Sequence, residues 1–85
     1  MVRLIGRFGG QNTTARQIVG GLLGVYEDVL VITLPTMESS IAFAADELPF
    51  DRNGVVDLLH AVGQTQFVIF DTPAVRALVG NFAPQ

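Results

Sequence analysis

The sequence contains no cysteine, no lysine and no tryptophan, and it has a single histidine. Without cysteine, disulfide bonds, thiolate metal sites and cysteine nucleophiles are excluded. Its basic residues are five scattered arginines, against eight acidic residues, for a net charge of −3. Because no basic patch is available to neutralise phosphates, we predict that the protein does not bind nucleic acid directly.

Charge of either sign is scarce. Charged residues make up 15% of the chain, whereas 49% of it is hydrophobic. The 85 residues predict one small α/β domain, residues 1–85. A domain of this size has much surface to cover relative to its core. We therefore predict that some apolar surface is buried against a protein partner, most simply in a homo-oligomer.

Long hydrophobic runs are also missing. The longest apolar stretch, IVGGLLGVY, is far shorter than a membrane span, and MVRLIGRFGG lacks the long apolar segment of a signal peptide. We predict no membrane span and a cytoplasmic location.

Strand-like and helix-like segments alternate along the chain. The run DVLVITL is continuously apolar after its first residue, as expected of a strand covered on both faces in a parallel sheet. Segment 36–48 fits either a helix or the short strand IAFA. The pattern predicts a small three-stranded, mainly parallel sheet flanked by helices, in the order β-α-β-α-α-β-α. The expected strands are 2–8, 28–34 and 66–70, and the expected helices, apart from 36–48, are 14–26, 51–62 and 73–79.

The helix expected over residues 51–62 has clear signals at both ends. Asp51 or Asn53 can cap its beginning, and Gly63 is expected to end it. Its expected buried stripe is Val55, Leu58, Leu59 and Val62.

A glycine-rich loop, GRFGGQNTTARQ, follows the first expected strand. Backbone N–H groups after Gly9 and Gly10 could hold an anion at the start of the next helix. Thr13 and Thr14 offer hydroxyls where a phosphate-binding loop has its magnesium ligand, but Asn12 stands in place of the lysine. The simpler interpretation is a strand-to-helix turn, with Thr14 capping the helix and a glutamine three residues later.

The stretch QFVIFDTP ends a strand with an acidic residue. At the carboxyl end of a buried strand, Asp71 could hold a magnesium ion through water. The alternative is that Asp71, Thr72 and Pro73 simply begin a helix.

Taken in order, GGQNTTARQIVGGLLG, VLVITLP, GVVDLL and FVIFDTP resemble the beginning of the ParA/MinD family of P-loop ATPases. The family's loop lysines have no counterpart, and the aspartates expected near Thr33 and Pro35 are replaced. Only Thr13, Thr14 and Asp71 match functional positions of the family. The resemblance implies a shortened, degenerate relative that keeps the scaffold and has lost most catalytic groups.

The leading hypothesis is a non-catalytic, self-associating assembly or interaction module, for which the resemblance implies descent from such an ATPase. One alternative is a nucleotide- or phosphate-binding protein whose site an oligomer partner completes, with ATP and Mg²⁺ as ligands and Arg7 or Arg16 supplying charge. Another is an unrelated structural subunit of a homo-oligomer. No catalytic residue is predicted. The candidate phosphate-binding residues are Gly9, Gly10, Asn12, Thr13, Thr14 and Asp71, with Thr13 and Asp71 as magnesium ligands.

The helix expected over residues 14–26 supplies the predicted interface. Gly20 and Gly24 would make one side of it flat, and Ile18, Leu22 and Val25 lie next to that side. A flat apolar side lets another backbone approach closely and gain dispersion contacts.

Overall fold

Four strands form one antiparallel sheet in the computed structural model, which describes residues 1–9 and 11–80. Three helices flank the sheet. The strand order is β1-β3-β2-β4, so β2 and β3 form the centre, and all but the first residue of β2 are buried. The strands are β1 (Val2–Ile5), β2 (Asp28–Leu34), β3 (Ser39–Ala45) and β4 (Val68–Phe70). The helices are α1 (Thr13–Leu23), α2 (Arg52–Ala61) and α3 (Thr72–Gly80).

The prediction of a three-stranded, mainly parallel sheet is therefore wrong. It missed β3, which pairs antiparallel with both β1 and β2. β2 and β3 are joined by a tight connection, a 3₁₀ turn over Pro35–Met37 followed by Glu38 at φ 47°. A left-handed glutamate carries no sequence signal, because such positions usually hold glycine or asparagine. Segment 36–48 therefore contains a strand that includes IAFA, and the element order is β-α-β-β-α-β-α.

Two crossovers decide where the helices lie. β1 and β2 run in the same direction because each pairs antiparallel with β3, and β3 and β4 do so because each pairs with β2. α1 links the first pair, and α2 links the second. Each connection crosses the sheet in the same direction, from β1 to β2 and from β3 to β4. However, β1 and β3, the strands from which the two connections start, are antiparallel. Connections of one hand then require the two helices to lie on opposite faces.

The buried residues divide into two clusters, one on each face of the sheet. α1 and α3 cover the first face, while α2 packs on the other, here called the α2 face. A single ten-residue helix thus has to cover the whole α2 face. The first cluster is Leu4, Phe8, Ala15, Val19, Val29, Val31, Ala42, Val75 and Val79, and the second is Leu30, Ile32, Leu34, Val55 and Ile69.

Each helix begins at a side-chain cap. Asn12 accepts a hydrogen bond from Ala15 N, two residues before the cap expected at Thr14. Asp51, one of the two residues expected to cap α2, does so by accepting from Gly54 N. These caps satisfy backbone N–H groups that a helix cannot pair internally. None of the three helices in residues 1–9 and 11–80 is long and apolar enough to cross a bilayer.

Candidate functional site

The glycine-rich loop folds back onto the sheet through two buried hydroxyls. Phe8 N lies 3.1 Å from both Thr33 Oγ1 and Ser40 Oγ, and the two hydroxyl oxygens are 2.9 Å apart. Ser40 Oγ donates to the carbonyl of Gly6 at 2.9 Å, so the proton between the hydroxyls comes from Thr33. These hydrogen bonds hold the beginning of the loop to β2 and β3. Because Phe8 N–H is already bonded to the two hydroxyls, it is not available to an anion.

Two residues of this loop, Phe8 and Gly9, pack against the ring of Phe70. Phe8 is buried, and its ring meets that of Phe70 edge to face, with centroids 5.2 Å apart and planes at 83°. Gly9 has φ +93°, and a Cβ atom there would lie 2.7 Å from Cζ of Phe70. Glycine at this position is therefore explained by its positive φ and by the close approach of the Phe70 ring.

Asn12 ties the loop to both the strand and the helix that flank it. Its Nδ2 donates to the carbonyl of Ile5 at 2.7 Å, and its Oδ1 accepts from Ala15 N at 3.1 Å. In this structure the residue in place of the loop lysine is a helix cap. Thr13 and Thr14 are exposed in the first turn of α1. Gly10, also a candidate for phosphate binding, lies outside the described residues.

The remaining candidate, Asp71, follows β4 in the chain. β1 and β4 run in opposite directions, so their carboxyl ends lie at opposite ends of the sheet. Through its neighbours in β3 and β2, Ile5 is level with Leu34, whereas Phe70 pairs with Val31. The difference corresponds to about 10 Å along the strands, in addition to the width of the sheet. The strands that precede Thr13 and Asp71 therefore do not end at the same edge of the sheet, as they would in the predicted parallel arrangement.

Asp71 lines a cleft of about 420 Å³, where α2 and α3 both begin. Asp71 caps α3 through Ala74 N, as the helix-start alternative predicts, and Asp28 accepts bonds from Thr72 Oγ1 and Leu48 N. No pattern in the sequence predicts that Asp28 lies in the same cleft as Asp71. Each of these carboxylates holds a piece of the fold in place. Within residues 1–9 and 11–80 no group of three or more histidine or acidic side chains is arranged to hold a metal ion.

A second hollow, the edge groove, runs between β1 and the first turns of α1 and has a volume of about 360 Å³. It brings predicted site residues, Asn12, Thr14 and Ile18, next to the edge strand β1. Beside it, the side chain of Ile5 is 94% exposed. Its lining residues are Arg3, Leu4 and Ile5 from the strand side, and Asn12, Thr14, Ala15 and Ile18 from the helix side.

The α2 face carries a third hollow, the apolar cleft, with a volume of about 260 Å³. The stripe expected to bury α2 is only half correct. Val55 is buried and Leu59 partly so, but Leu58 and Val62 are 64% and 66% exposed. Because α2 is the single described helix on this face, no second helix is there to bury all four side chains. The lining residues are Ile32, Ile41, Phe43, Phe50, Gly54, Val55, Leu58 and Leu59.

The residues predicted to form an interface on α1 are split between the inside and the surface. Gly20 faces α3, since a Cβ atom there would lie 3.2 Å from Cγ1 of Val79. Leu22 packs against the first core cluster. The flat side of the helix thus allows close packing within the chain, between α1 and α3.

The other three residues of that predicted interface are open to solvent. Gly24 is the C-cap of α1, and Ile18 and Val25 are both exposed. Only Ile18 also lines the edge groove. The interface residues predicted from the sequence all belong to the helix expected over residues 14–26, so the strand side of the groove was not among them.

The antiparallel sheet also corrects the P-loop interpretation. A P-loop fold of the ParA/MinD type requires parallel neighbouring strands, and here every neighbouring pair is antiparallel. "P-loop-like" and "ParA/MinD-like" are therefore wrong descriptions of this structure. Comparisons with models of protein families, with curated proteins and with solved structures find no match to the chain.

Proposed function

We propose that this protein is a non-catalytic interaction module that self-associates through the outer edge of β1. The observation that carries the proposal is the near-complete exposure of Ile5, 94%, on an edge strand that borders a groove. An edge strand presents unpaired N–H and C=O groups that invite pairing with another chain. An isoleucine on such a strand adds apolar area to that pairing.

The β1 edge has few of the features that prevent such pairing. Proteins commonly protect edges with lysine, proline, bulges or covering elements. β1 reads VRLI, with one arginine and no proline. The opposite edge, β4, is only three residues long, and Nη1 of Arg52 lies 3.5 Å from the carbonyl of Ile69. At β1, Asn12 Nδ2 likewise donates to the carbonyl of Ile5, at 2.7 Å, so what distinguishes β1 is its greater length and the exposed isoleucine.

The non-catalytic part of the proposal rests on how the candidate polar groups are used. Asn12 and Asp71 cap helices, and the Thr33 and Ser40 hydroxyls anchor the glycine-rich loop. Catalysis of phosphoryl transfer depends on positioned charge near the phosphates. Groups already bonded within the fold are poorly placed to supply it.

Sedimentation equilibrium of the wild type and of two aspartate variants tests the proposal. We expect the wild type to associate at micromolar concentration. Ile5→Asp should weaken association by about tenfold or more, because both copies lose the apolar area of the isoleucine at the interface and gain a residue that is unfavourable in strands. Val25→Asp is the matched control, since Val25 is also highly exposed but lies beyond the end of α1. It should associate like the wild type.

A wild type that remains a folded monomer across this range would refute the proposal. Equal association of all three proteins would show that β1 is not part of the interface. Loss of association only in Val25→Asp would place the interface at the end of α1. Circular dichroism of each variant checks that the fold is intact.

A further inference from the structure

We infer that two copies join by antiparallel pairing of their β1 strands, with Leu4 of each copy opposite the other at a two-fold axis. The inference rests on the proposed self-association and specifies the partner surface and the register. It follows from the direction of the β1 peptide groups, from the single charge on the strand and from the geometry of the edge groove.

Two hydrogen bonds show which peptide groups of β1 face outward. Gly6 N donates to the carbonyl of Glu38 at 2.8 Å, continuing the register in which Leu4 pairs with Ser40. Because antiparallel bonding alternates, Leu4 is bonded to β3 and the peptide groups of Arg3 and Ile5 point away from it. Independently, Asn12 Nδ2 reaches the carbonyl of Ile5 at 2.7 Å from outside the sheet.

Symmetry and this alternation leave few registers for a second copy. Outward residues must lie opposite outward residues, so Arg3 can face Arg3 or Ile5 of the second copy, or Ile5 can face Ile5. The last register overlaps least, because Gly6 at φ +84° leaves the extended conformation directly after the strand. Only the first two give substantial pairing.

Charge decides between those two registers. Placing Arg3 opposite Arg3 puts like charges directly across the strands, which is destabilising. Placing Arg3 opposite Ile5 instead lets the aliphatic part of the arginine cover the exposed isoleucine while the guanidinium stays in water. Each such pair exchanges two backbone hydrogen bonds. The Ile5 carbonyl retains a second lone pair besides the one that Asn12 uses.

The edge groove accommodates this arrangement. Pairing across β1 continues the sheet from one copy to the other and brings both α1 helices to the same face. Ile18, which is 42% exposed and lines the groove, then lies beside the second copy. An extended segment from a different protein would compete for the same edge, and the experiment below separates the two cases.

Cysteine cross-linking tests the register directly, because the natural chain has no cysteine. We would prepare Arg3→Cys and Ile5→Cys, oxidise each alone and in an equal mixture, and identify the products by mass spectrometry. Opposite residues of a hydrogen-bonded pair have Cα atoms about 5.5 Å apart, within disulfide range. Diagonal neighbours are about 7–8 Å apart, beyond that range. We expect the mixed disulfide to form in the mixture and little cross-link in either variant alone.

Each other result contradicts the inference in a distinguishable way. Predominant Arg3→Cys homodimer would assign the register with Arg3 opposite Arg3, and predominant Ile5→Cys homodimer the register centred on Ile5. Reduced variants that sediment as dimers but do not cross-link would overturn strand pairing and leave self-association standing. Wild type and reduced variants that sediment as monomers would overturn both, and would leave the edge to a different protein.

Discussion

Ser40 is fully buried, and its hydroxyl connects the loop after β1 with the centre of the sheet. Replacing it by alanine leaves the Gly6 carbonyl without this partner and takes one of two acceptors from Phe8 N. We expect Ser40→Ala to lower the free energy of unfolding by about 1–3 kcal/mol, the usual effect of leaving buried polar groups unsatisfied. Ser39→Ala, one residue earlier and only partly buried, should change it by less than about 0.5 kcal/mol. Urea denaturation of both variants measures the difference, and equal losses would contradict the role given to the hydroxyl.

Gly9 and Gly63 allow backbone conformation to be separated from packing. Both have positive φ, but a Cβ atom at Gly9 would meet the Phe70 ring, whereas at Gly63 no atom of the described residues lies within 4 Å. Gly63→Ala should cost about 1–2 kcal/mol, the penalty of a left-handed residue. Gly9→Ala should cost roughly 1–3 kcal/mol more, because the ring must move in a packed core. Thermal unfolding of the two variants checks this, and a Gly9→Ala as stable as Gly63→Ala would show that the ring yields freely.

Residue roles were only partly predictable from the sequence. Asp51 and Gly63 act as expected, at the beginning and end of α2, because capping depends on residues close in the chain. Asn12 was interpreted by comparison with a lysine, and its bond to Ile5 is set by tertiary structure. Helix caps that depend on neighbouring residues could be predicted, whereas hydrogen bonds set by the tertiary structure could not.

Elements show the same division. β2 has the bounds that the sequence predicted, and α2 differs from its expected range by one residue at each end. β3 was uncertain because its connection to β2 has an αL glutamate instead of a glycine. A continuously buried strand was taken as parallel, yet β2 is buried equally well as the covered centre of an antiparallel sheet. Strand direction depends on which segments meet, and periodicity does not report that.

The two sides of α2 should respond differently to truncation. Val55 is 6% exposed and packs against Leu30 and Ile32, while Leu58 is 64% exposed. We expect Val55→Ala to destabilise the fold by roughly 1–3 kcal/mol through lost burial and a small cavity. Leu58→Ala should cost less than about 1 kcal/mol. Comparable losses in chemical denaturation would show that Leu58 is covered in the folded protein in solution.

At the β1 edge, proline should separate folding from association. The N–H of Arg3 points away from β3, so Arg3→Pro removes no bond to β3, and proline is tolerated on strands at such positions. It does remove a donor needed to pair with a second copy. We expect Arg3→Pro to be folded but to associate at least about tenfold more weakly than Arg3→Ala. Sedimentation equilibrium measures this, and equal association of the two would argue against hydrogen-bonded strand pairing.

At the scale of the whole molecule, uneven covering of the sheet explains the apolar composition. Two helices bury one face, a single helix partly covers the other, and β1 remains at an edge with Ile5 outside it. The scarcity of charge predicted buried surface beyond the monomer, and the structure offers the β1 edge as the place for it. We attribute the open surface at this edge to self-association.

Amide hydrogen exchange measured at increasing protein concentration tests that claim most directly. The N–H groups of Arg3 and Ile5 point outward in the monomer, whereas Leu4 N–H bonds to β3 and serves as an internal control. We expect the protection of the Arg3 and Ile5 amides from exchange to rise between micromolar and millimolar protein concentration, while that of the Leu4 amide changes little. Arg3 and Ile5 amides that exchange at the rates of an open chain across the whole range would contradict it.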